Sequence, residues 1–350
     1  MSTFPDNLLD SLSIRREVPL APFTTWKVGG PAEYYAEAPD RDTLVTLVRT
    51  AEEHAVDVTI LGWGSNVLIA DRGIRGLVIR NRSAQIEPLS ECEFTPRRED
   101  FIRLQQLDTA KYYSFSDLDY PEEPGPGMLV WLDSGVSLGL AINKLISDGL
   151  TGLQWFSGIP GTIGGAVYNN IHGGSHFISE YVRAVEVFKD GTLYQLSADE
   201  LDFGYDYSRF HSSGEVIVRV QMCLARGNRE KARAASVAWA QKKKLQPHNS
   251  AGCCYANLSE EERERLGLES IGWGYIIDQI LKLKGTQRGG AVISEHHAAF
   301  IENTGSATAG DIFSLLKLVS DTANEKLGIR PQLEVFLLGF TPEERSQLIS

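Results

Sequence analysis

The sequence predicts an α+β fold in two domains, a larger region over residues 1–226 and a smaller C-terminal α/β domain over residues 227–341. Three observations lead to this prediction. The chain has 350 residues, and a single hydrophobic core stops growing at about 250–300 residues. Helical and strand periods of hydrophobicity alternate along the chain. Near Gly227 a region rich in strands gives way to a helix.

The first elements are a helix and two strands. Apolar residues recur at helical spacing after Thr43, and the β-branched segment VDVTIL from Val56 to Leu61 predicts a strand. A second strand is predicted at Gly76–Arg80. The stretch Pro88–Gly127 has mixed charge and few apolar residues and closes with YPEEPGPG, so we interpret it as an inserted surface segment.

The middle of the chain continues with the strand MLVWLDSG and the amphipathic helix VSLGLAINKLISDGL. AVEVFKDGTLYQLS predicts a hairpin that turns at Asp190-Gly191, and EVIVRVQMCLA predicts a further strand.

The last third begins with the helix NREKARAASVAWAQKKK, followed by a predicted helix in GYIIDQILKLKG. DIFSLLKLVSDTANEKLGI predicts an amphipathic helix, and PQLEVFLLGF predicts a closing strand. In that amphipathic helix the residues expected on the buried face are Ile312, Leu315, Leu316, Val319 and Ala323.

Composition excludes several classes of protein. The chain is 42% hydrophobic and 23% charged, as in ordinary globular proteins. Its net charge of -12 argues against nucleic-acid binding, and no segment reaches the about 20 apolar residues of a membrane span. The irregular spacing of Cys92, Cys223, Cys253 and Cys254 favours reduced thiols and a cytoplasmic protein. No metal site is expected.

Two glycine-rich loops, each near a strand, predict a site for a diphosphate. Glycine lets backbone N–H groups approach an anion without a Cβ in the way. Neither loop matches the GxGxxG or GxxxxGK[ST] patterns. Either loop alone could equally serve a tight turn. The candidate residues in LGWGSNVLI and SGIPGTIGG are Gly62, Gly64, Ser65, Asn66, Ser157, Gly158, Gly161, Thr162, Gly164 and Gly165.

Six motifs in sequence order together resemble the UDP-N-acetylenolpyruvoylglucosamine reductase family. They are TTWKVGGPAEYYAEA, ILGWGSNVLIAD, GLQWFSGIPGTIGGAVYNN, SAGCCYAN, LKGTQRGGAVISEHHAAFIEN and QLEVFLLG. The resemblance extends from about Thr24 to Gly339, apart from the Pro88–Gly127 segment.

The resemblance implies an FAD-binding fold of the vanillyl-alcohol oxidase type, made of two α/β subdomains, with a smaller substrate domain after it. It further implies non-covalent FAD, NADPH as electron donor and a UDP-sugar enolpyruvyl ether as substrate. The expected reaction is reduction of that ether to UDP-N-acetylmuramate, a peptidoglycan precursor. A monomer is expected.

Roles for individual residues also follow from the resemblance. Cys253 maps onto the proton donor and Glu334 onto the carboxyl group of the final strand. Asn257, Lys284 and His297 are expected to contact substrate. The same residue types also serve purely structural roles: a cysteine beside glycine is often a small buried residue, a terminal-strand Glu is often solvated, and Lys284 could be a cation that ends a helix.

One position departs from the family pattern. The motif Tyr-Arg-x-Ser, whose arginine helps hold the enolpyruvyl carboxylate, is replaced in FGYDYSRF by Asp206 with Tyr205, Tyr207 and Ser208 around it. A carboxylate repels a carboxylate, so we predict that Arg209 takes over the charge. In an extended strand residues 206 and 209 point to opposite faces, so this needs a bulge or a turn.

Two alternatives to the reductase remain at this point. Asp206 could mark a flavoprotein of the same fold with altered or lost activity. The adjacent cysteines could instead form a thiol sensor, but that function leaves both glycine loops unexplained.

Overall fold

The computed structural model describes residues 3–97 and 120–348. The strands are β1 Arg15–Pro19, β2 Pro31–Ala38, β3 Val58–Leu61, β4 Val67–Ile69, β5 Ile74–Asn81, β6 Ile86–Phe94, β7 Gly125–Asp133, β8 His172–Gly173, β9 His176–Phe177, β10 Val182–Lys189, β11 Thr192–Ser197, β12 Val216–Ala225, β13 Gln287–Arg288, β14 Ala291–Ile293, β15 Ile301–Asn303 and β16 Phe336–Leu338. The α-helices are α1 Asp6–Ser11, α2 Arg41–Glu53, α3 Leu138–Ser147, α4 Ile163–Tyr168, α5 Phe210–Ser213, α6 Arg229–Lys243, α7 Glu260–Arg265, α8 Trp273–Tyr275, α9 Ala309–Leu327 and α10 Pro342–Ser346.

The chain forms two compact units, and each draws on separate stretches of sequence. The first comprises Met1–Ser13, Ala36–Gly62 and Ile79–Leu245. The second comprises Ile14–Tyr35, Trp63–Val78 and Gln246–Ser350. The domain boundary expected near Gly227 stays a prediction.

A five-stranded antiparallel sheet of order β11-β10-β12-β7-β6 organises the first unit. Its central strands are built from β-branched and apolar residues, which favour a pleated, buried surface. The predicted hairpin is confirmed: β10 and β11 pair from Ala184–Ser197 to Lys189–Thr192. Asp190 and Gly191 both have positive φ, 49° and 73°, as a two-residue hairpin turn requires.

Helices pack on this sheet through the apolar faces that the sequence predicted. Leu138, Ile142 and Leu145 of α3 are buried and join one core cluster with Val130 and Leu132 of β7. The helix predictions over α2, α3 and α6 are confirmed. This core holds the loop between α3 and α4, which contains the second glycine motif.

The second unit is organised around α9. All five residues predicted for the buried face of that helix are buried. The antiparallel strands β13, β14 and β15 form one small sheet, and β16 pairs in parallel with β4. Trp26 is fully buried, and its indole N–H donates to the Ile301 carbonyl at 2.7 Å.

Three predictions about elements need correction. The helix expected over Gly274–Gly285 is a short α-helix followed by a π-helix, Ile276–Leu281, that ends where Lys282 adopts a left-handed φ of 60°. The closing strand is confined to β16. Strands β6 and β7 extend into both ends of the Pro88–Gly127 segment and pair antiparallel there; residues 98–119 lie outside the described part of the chain.

The expectation that the cysteines are reduced is wrong for one pair. Cys92 of β6 and Cys223 of β12 form a disulfide, although 131 residues separate them in sequence. Both strands flank β7, and a Cβ on Gly127 of β7 would lie 3.2 Å from the Cys92 sulfur. The sheet topology brings these side chains together, and sequence spacing carries no sign of it. Cys253 and Cys254 are free thiols.

Within residues 3–97 and 120–348, no helix is long and apolar enough to cross a membrane. The same residues contain no group of three His, Cys, Asp or Glu side chains placed to hold a metal ion.

Candidate active site

Gly62, the first residue of the first glycine loop, lies against the second glycine loop within the first unit. Gly62 directly follows β3, and a Cβ at this position would come within 2.9 Å of Thr162 Oγ1. The absence of a side chain at Gly62 therefore lets the backbone of one loop approach the other. This proximity is what a shared diphosphate site requires.

Two backbone N–H groups of the second loop donate hydrogen bonds to acceptors within the protein. The Gly164 N–H donates to the Ser134 carbonyl at 2.8 Å. The Gly165 N–H donates to Thr162 Oγ1 at 3.2 Å, so Thr162 caps α4. A Cβ on Gly164 would lie 2.7 Å from the Ser134 Cβ. Gly164 is therefore required by packing within the protein itself.

The remaining amides of this loop fit an anion. In the part of the chain that the structure describes, no group accepts a hydrogen bond from the N–H of Gly158, Gly161 or Thr162. Gly158 has a φ of 85° and is exposed, which brings its amide to the surface of the loop. Backbone donors without a protein partner bind water or ligand, and several such donors on one loop suit phosphate oxygens. The residues present fit the diphosphate of FAD.

The hydroxyl group of Ser157 contacts another part of the protein. Ser157 is buried, and its Oγ lies 2.7 Å from Ser236 Oγ on α6. Ser157 therefore joins the loop to α6, and its role as a phosphate donor stays a prediction. Gly158 packs on the same helix, since a Cβ there would lie 2.7 Å from the Lys243 Cβ.

The rest of the first loop belongs to the second unit. Gly64 has a φ of 59°, and a Cβ there would come within 2.2 Å of the Phe23 carbonyl oxygen. Asn66 donates through Nδ2 to the Glu334 carbonyl at 3.0 Å. Ser65 is half-buried between them. This loop therefore lies beside the chain segment that carries Glu334.

The chain segments that carry the predicted catalytic thiol and the predicted carboxyl group run side by side. The Glu334 N–H donates to the Cys254 carbonyl at 3.0 Å, so the segment with Cys253 runs along the segment with Glu334. Cys253 and Glu334 are half-buried, whereas Cys254 is fully buried. Burial raises the pKa of the Cys254 thiol, and the nearby charges of Cys253 and Glu334 add to this shift. Cys254 is confirmed as a packing residue.

Two of the three predicted substrate residues lie close to this loop. The Cys254 N–H donates to the Ala299 carbonyl at 2.9 Å, and the Ala299 N–H donates to His297 Nδ1 at 3.4 Å. Asn257 is half-buried three residues after Cys254.

Lys284, the third predicted substrate residue, pairs with an acidic neighbour. Its Nζ lies 3.3 Å from Asp278 Oδ2 on the π-helix. The helix has already ended at Lys282, so Lys284 does not end a helix as a C-terminal cation. Contact with a substrate phosphate stays a prediction.

Asp206 lies in a turn of the first unit. Gly204 and Tyr207 pair across it, and Asp206 has a φ of 49°. The turn that the Arg209 hypothesis required is therefore present. However, the Arg209 guanidinium forms a two-point hydrogen bond with Glu215, at 3.0 and 2.8 Å.

These contacts hold Arg209 in its own neighbourhood. A third guanidinium nitrogen donates to the Glu200 carbonyl at 2.9 Å. The Glu215 side chain is only 2% exposed, and a buried carboxylate needs such a partner. The role of Arg209 toward a substrate carboxylate stays a prediction, and its pairing with Glu215 counts against it.

A histidine beside Asp206 was not predicted from the sequence. His172 Nδ1 lies 3.3 Å from Asp206 Oδ1, although 34 positions separate the two residues. The tight connection between β8 and β9 and the Gly204–Tyr207 turn bring them together. Along the sequence, His172 could be assessed only as a metal ligand, for which no partner stands at a suitable spacing.

Comparison with known proteins agrees with this arrangement. Residues 244–338 match the model of the UDP-N-acetylenolpyruvoylglucosamine reductase C-terminal domain, and residues 116–197 match an FAD binding domain. A UDP-N-acetylenolpyruvoylglucosamine reductase of Synechococcus sp. (strain WH7803) is 34% identical over 345 residues, which cover 96% of this chain and 97% of that protein. One of Heliobacterium modesticaldum is 33% identical, with 93% and 90% covered.

A solved structure extends the similarity to the fold. The crystal structure of the Thermus caldophilus UDP-N-acetylenolpyruvylglucosamine reductase superposes with a TM-score of 0.68 at 28% identity, over 93% of this chain and 99% of that one. The predicted fold class, an FAD-binding region with a smaller C-terminal domain, is thereby confirmed. By sequence and by fold, the chain belongs to the UDP-N-acetylenolpyruvoylglucosamine reductase family.

Proposed function

We propose that the protein reduces the enolpyruvyl group of UDP-N-acetylglucosamine enolpyruvate to give UDP-N-acetylmuramate for peptidoglycan synthesis, with NADPH as donor and FAD as carrier. The observation that carries the proposal is the half-buried thiol of Cys253 on a segment hydrogen-bonded to that of Glu334, in a chain whose relatives bear the reductase name over nearly their whole length. Altered or lost activity, the alternative suggested by Asp206, is not favoured.

The cofactor's place is proposed at the glycine loops. When bound, FAD supplies the hydride chemistry that no amino acid side chain provides. The N–H groups of Gly158, Gly161 and Thr162 would hold its diphosphate without a covalent link. The proposed contribution of Gly62 and Gly164 is to let these loop segments approach closely enough, and that of Gly165 is to leave the face of the loop open for the diphosphate.

Cys253 is proposed to deliver the proton that completes the reaction. Addition of hydride to the enolpyruvyl ether places negative charge on the carbon next to the carboxylate, and a positioned acid must quench it. Cys253 has the accessibility that Cys254 lacks. Glu334, in the neighbouring segment, would polarise the substrate carboxylate.

The remaining contacts concern the nucleotide. Lys284, Asn257 and His297 of the second unit are proposed to bind the UDP-sugar through its phosphates and polar groups. A lysine provides a mobile point charge for phosphate. We further propose that the protein acts as a monomer in the cytoplasm.

Turnover with the proposed substrate tests the function. The purified protein is expected to be yellow, to oxidise NADPH only slowly alone, and to oxidise it stoichiometrically when the enolpyruvyl nucleotide is added. Mass spectrometry should show a product two mass units heavier than the substrate. A yellow protein that oxidises NADPH without forming this product would contradict the proposed substrate.

A further inference from the structure

A buried polar network in the first unit connects the end of β5 to the turn between β7 and α3. Asn81 Nδ2 donates to Ser134 Oγ at 2.7 Å, and Asn81 Oδ1 accepts from the N–H and the Oγ of Ser83 at 3.1 and 2.8 Å. Ser83 Oγ accepts in turn from the Gly135 N–H at 3.2 Å. Asn81, Ser83 and Ser134 are each at most 5% exposed. The network therefore holds Ser134 and Gly135, the first two residues of the turn.

The turn packs closely on this network. A Cβ on Gly135 would lie 2.6 Å from Asn81 Oδ1 and 2.7 Å from the Ser83 carbonyl oxygen, so only a glycine can approach this far. The backbone of Ser134 is fixed as well, because its N–H donates to the Val218 carbonyl of β12 at 3.0 Å. The start of the turn is thus held from β5 through a side chain and from β12 through the backbone.

The second glycine loop runs along this turn. Ser137 of the turn and Thr162 of the loop form an antiparallel bridge. Three backbone hydrogen bonds, at 3.0, 2.9 and 2.8 Å, join the two segments: Leu138 N–H to the Gly161 carbonyl, Ile163 N–H to the Val136 carbonyl, and Gly164 N–H to the Ser134 carbonyl. The conformation of the loop therefore depends on where the turn lies.

These bonds set the direction of the Thr162 N–H, one of the three amides proposed for the diphosphate. This N–H shares a peptide unit with the Gly161 carbonyl, which points toward the turn because it accepts from Leu138. In a planar trans peptide the C=O and N–H groups point in opposite directions, and the described part of the chain contains no cis peptide bond. The Thr162 N–H therefore points away from the turn.

We propose that Asn81, together with Ser83, is a positioning residue of the cofactor site: it fixes the turn against which the second glycine loop presents the Thr162 N–H to the diphosphate of FAD. The inference rests on the proposed place of FAD at this loop. Donors held in place beforehand lose less freedom when they bind, so a firmly held loop binds its ligand more tightly. Neither residue needs to touch the cofactor for this effect.

Asn303 of the second unit provides a matched control. It is also buried, and its Nδ2 donates to the Trp26 carbonyl at 2.7 Å. Its Oδ1 accepts from the N–H groups of Gly305 and Ala307 at 2.8 and 3.0 Å. Asn81 likewise donates one hydrogen bond and accepts two. Replacement of either asparagine by alanine therefore removes the same kind of buried contacts, in different units of the chain.

The rate of FAD release from the FAD-loaded, full-length variants tests the inference. Release is followed by the FAD that passes an ultrafiltration membrane at successive times after dilution, and thermal unfolding in saturating FAD reports stability separately. Asn81→Ala should release FAD about 10-fold faster than the parent, the effect of about one hydrogen bond. Asn303→Ala should lose a similar amount of thermal stability and release FAD at the parent rate.

A milder pair of variants gives the result if Asn81→Ala does not fold. Ser83→Ala removes a single hydroxyl group, breaks the link to Gly135 and should also release FAD faster than the parent. Ser320→Ala is its control, because Ser320 is another buried serine whose Oγ accepts a hydrogen bond, from Arg330 at 3.0 Å. Ser320→Ala should release FAD at the parent rate.

Different outcomes separate this inference from the proposed function. A parent protein that neither carries FAD on purification nor takes it up from solution overturns the function and, with it, the role of Asn81. A parent that holds FAD, with Asn81→Ala or its substitute Ser83→Ala releasing it at the parent rate, overturns the role of Asn81 alone. Equally fast release from Asn81→Ala and Asn303→Ala would also overturn that role, because a general loss of stability would then explain it.

Discussion

At the scale of single residues, burial distinguishes two neighbouring thiols that the sequence leaves equivalent. Cys253 is half-buried and Cys254 fully buried, with its amide and carbonyl groups bonded to Ala299 and Glu334. Burial raises the pKa of the Cys254 thiol and shields it from solvent and ligands. Of the two thiols, Cys253 is therefore the one that a ligand can reach.

Substitution of each thiol should separate proton delivery from packing. Cys253→Ala should keep its yellow colour and its bleaching by NADPH but fail to form product, because the reduced substrate lacks its proton donor. Cys253→Ser should recover much of the activity. Cys254→Ala should remain active and lose about 1 kcal/mol of unfolding free energy. Stopped-flow absorbance and thermal unfolding measure these effects; a block in Cys254→Ala but not in Cys253→Ala would contradict the assignment.

The sequence points to Cys253 as a candidate but gives no sign of the contact between His172 and Asp206. A cysteine in a motif keeps its position along the chain, so motif order alone identifies it. The partnership of His172 with Asp206 depends on two turns that meet in space, one between β8 and β9 and one at Gly204–Tyr207. Hydrophobic periodicity indicates helices and strands, and it does not show which turns lie close together in the fold.

At the scale of elements, the two glycines at the start of α4 have different surroundings. Gly164 is required by packing, whereas Gly165 has open space beside it. A Cβ on Gly164 would lie 2.9 Å from the Ser134 carbonyl oxygen, whereas one on Gly165 would meet only Thr162 Oγ1, at 3.5 Å. Loss of FAD in a Gly164 variant would therefore not distinguish a blocked cofactor from a damaged fold. Gly165 is the sharper probe.

Gly165→Val should fold like the parent but lose most of its FAD, because the added methyl groups would occupy the face of the loop proposed for the diphosphate. Gly139→Val is the matched control, since Gly139 is also an exposed helical glycine and a Cβ there meets nothing within 4 Å. The FAD content per protein, read from the ratio of the flavin absorbance to the protein absorbance, measures the outcome. Equal FAD content in both variants would contradict the diphosphate site.

The pair of Arg209 and Glu215 joins the start of α5 to β12, and we expect it to serve stability. Burial alone would raise the pKa of Glu215, but hydrogen bonds from Ser213 and Tyr194 and the pairing with Arg209 lower it below the ordinary 4.5. A lowered pKa contributes stability that is present above the unfolded value and lost as pH falls through the folded one.

Arg209→Ala should therefore reduce the unfolding free energy at pH 7 by about 1–3 kcal/mol, the usual cost of a buried acceptor without its partner. The difference from the parent should shrink as pH falls below about 4.5, where Glu215 is neutral in the unfolded chain. Urea unfolding at several pH values measures it, with Arg226→Ala, an exposed arginine, as control. A stable Arg209→Ala variant that fails only in substrate reoxidation would instead support the catalytic role predicted for Arg209.

At the scale of the whole molecule, local patterns predicted most helices and strands but not their grouping. The amphipathic face of α9 and the turn at Asp190-Gly191 are local features, and both were confirmed. The second unit also includes Ile14–Tyr35 and Trp63–Val78 from the N-terminal part of the chain, and the disulfide of Cys92 with Cys223 spans 131 residues. Such long-range associations depend on tertiary packing, which sequence periodicity does not encode.

In the proposed function, one protein passes electrons from NADPH to an enolpyruvyl nucleotide. The most direct measurement is an anaerobic titration followed at the flavin absorbance band. One equivalent of NADPH should bleach the yellow protein, and one equivalent of UDP-N-acetylglucosamine enolpyruvate should restore the full colour as UDP-N-acetylmuramate forms. Protein that stays bleached after the nucleotide is added, yet recovers its colour when oxygen is admitted, would show that the nucleotide is not the electron acceptor.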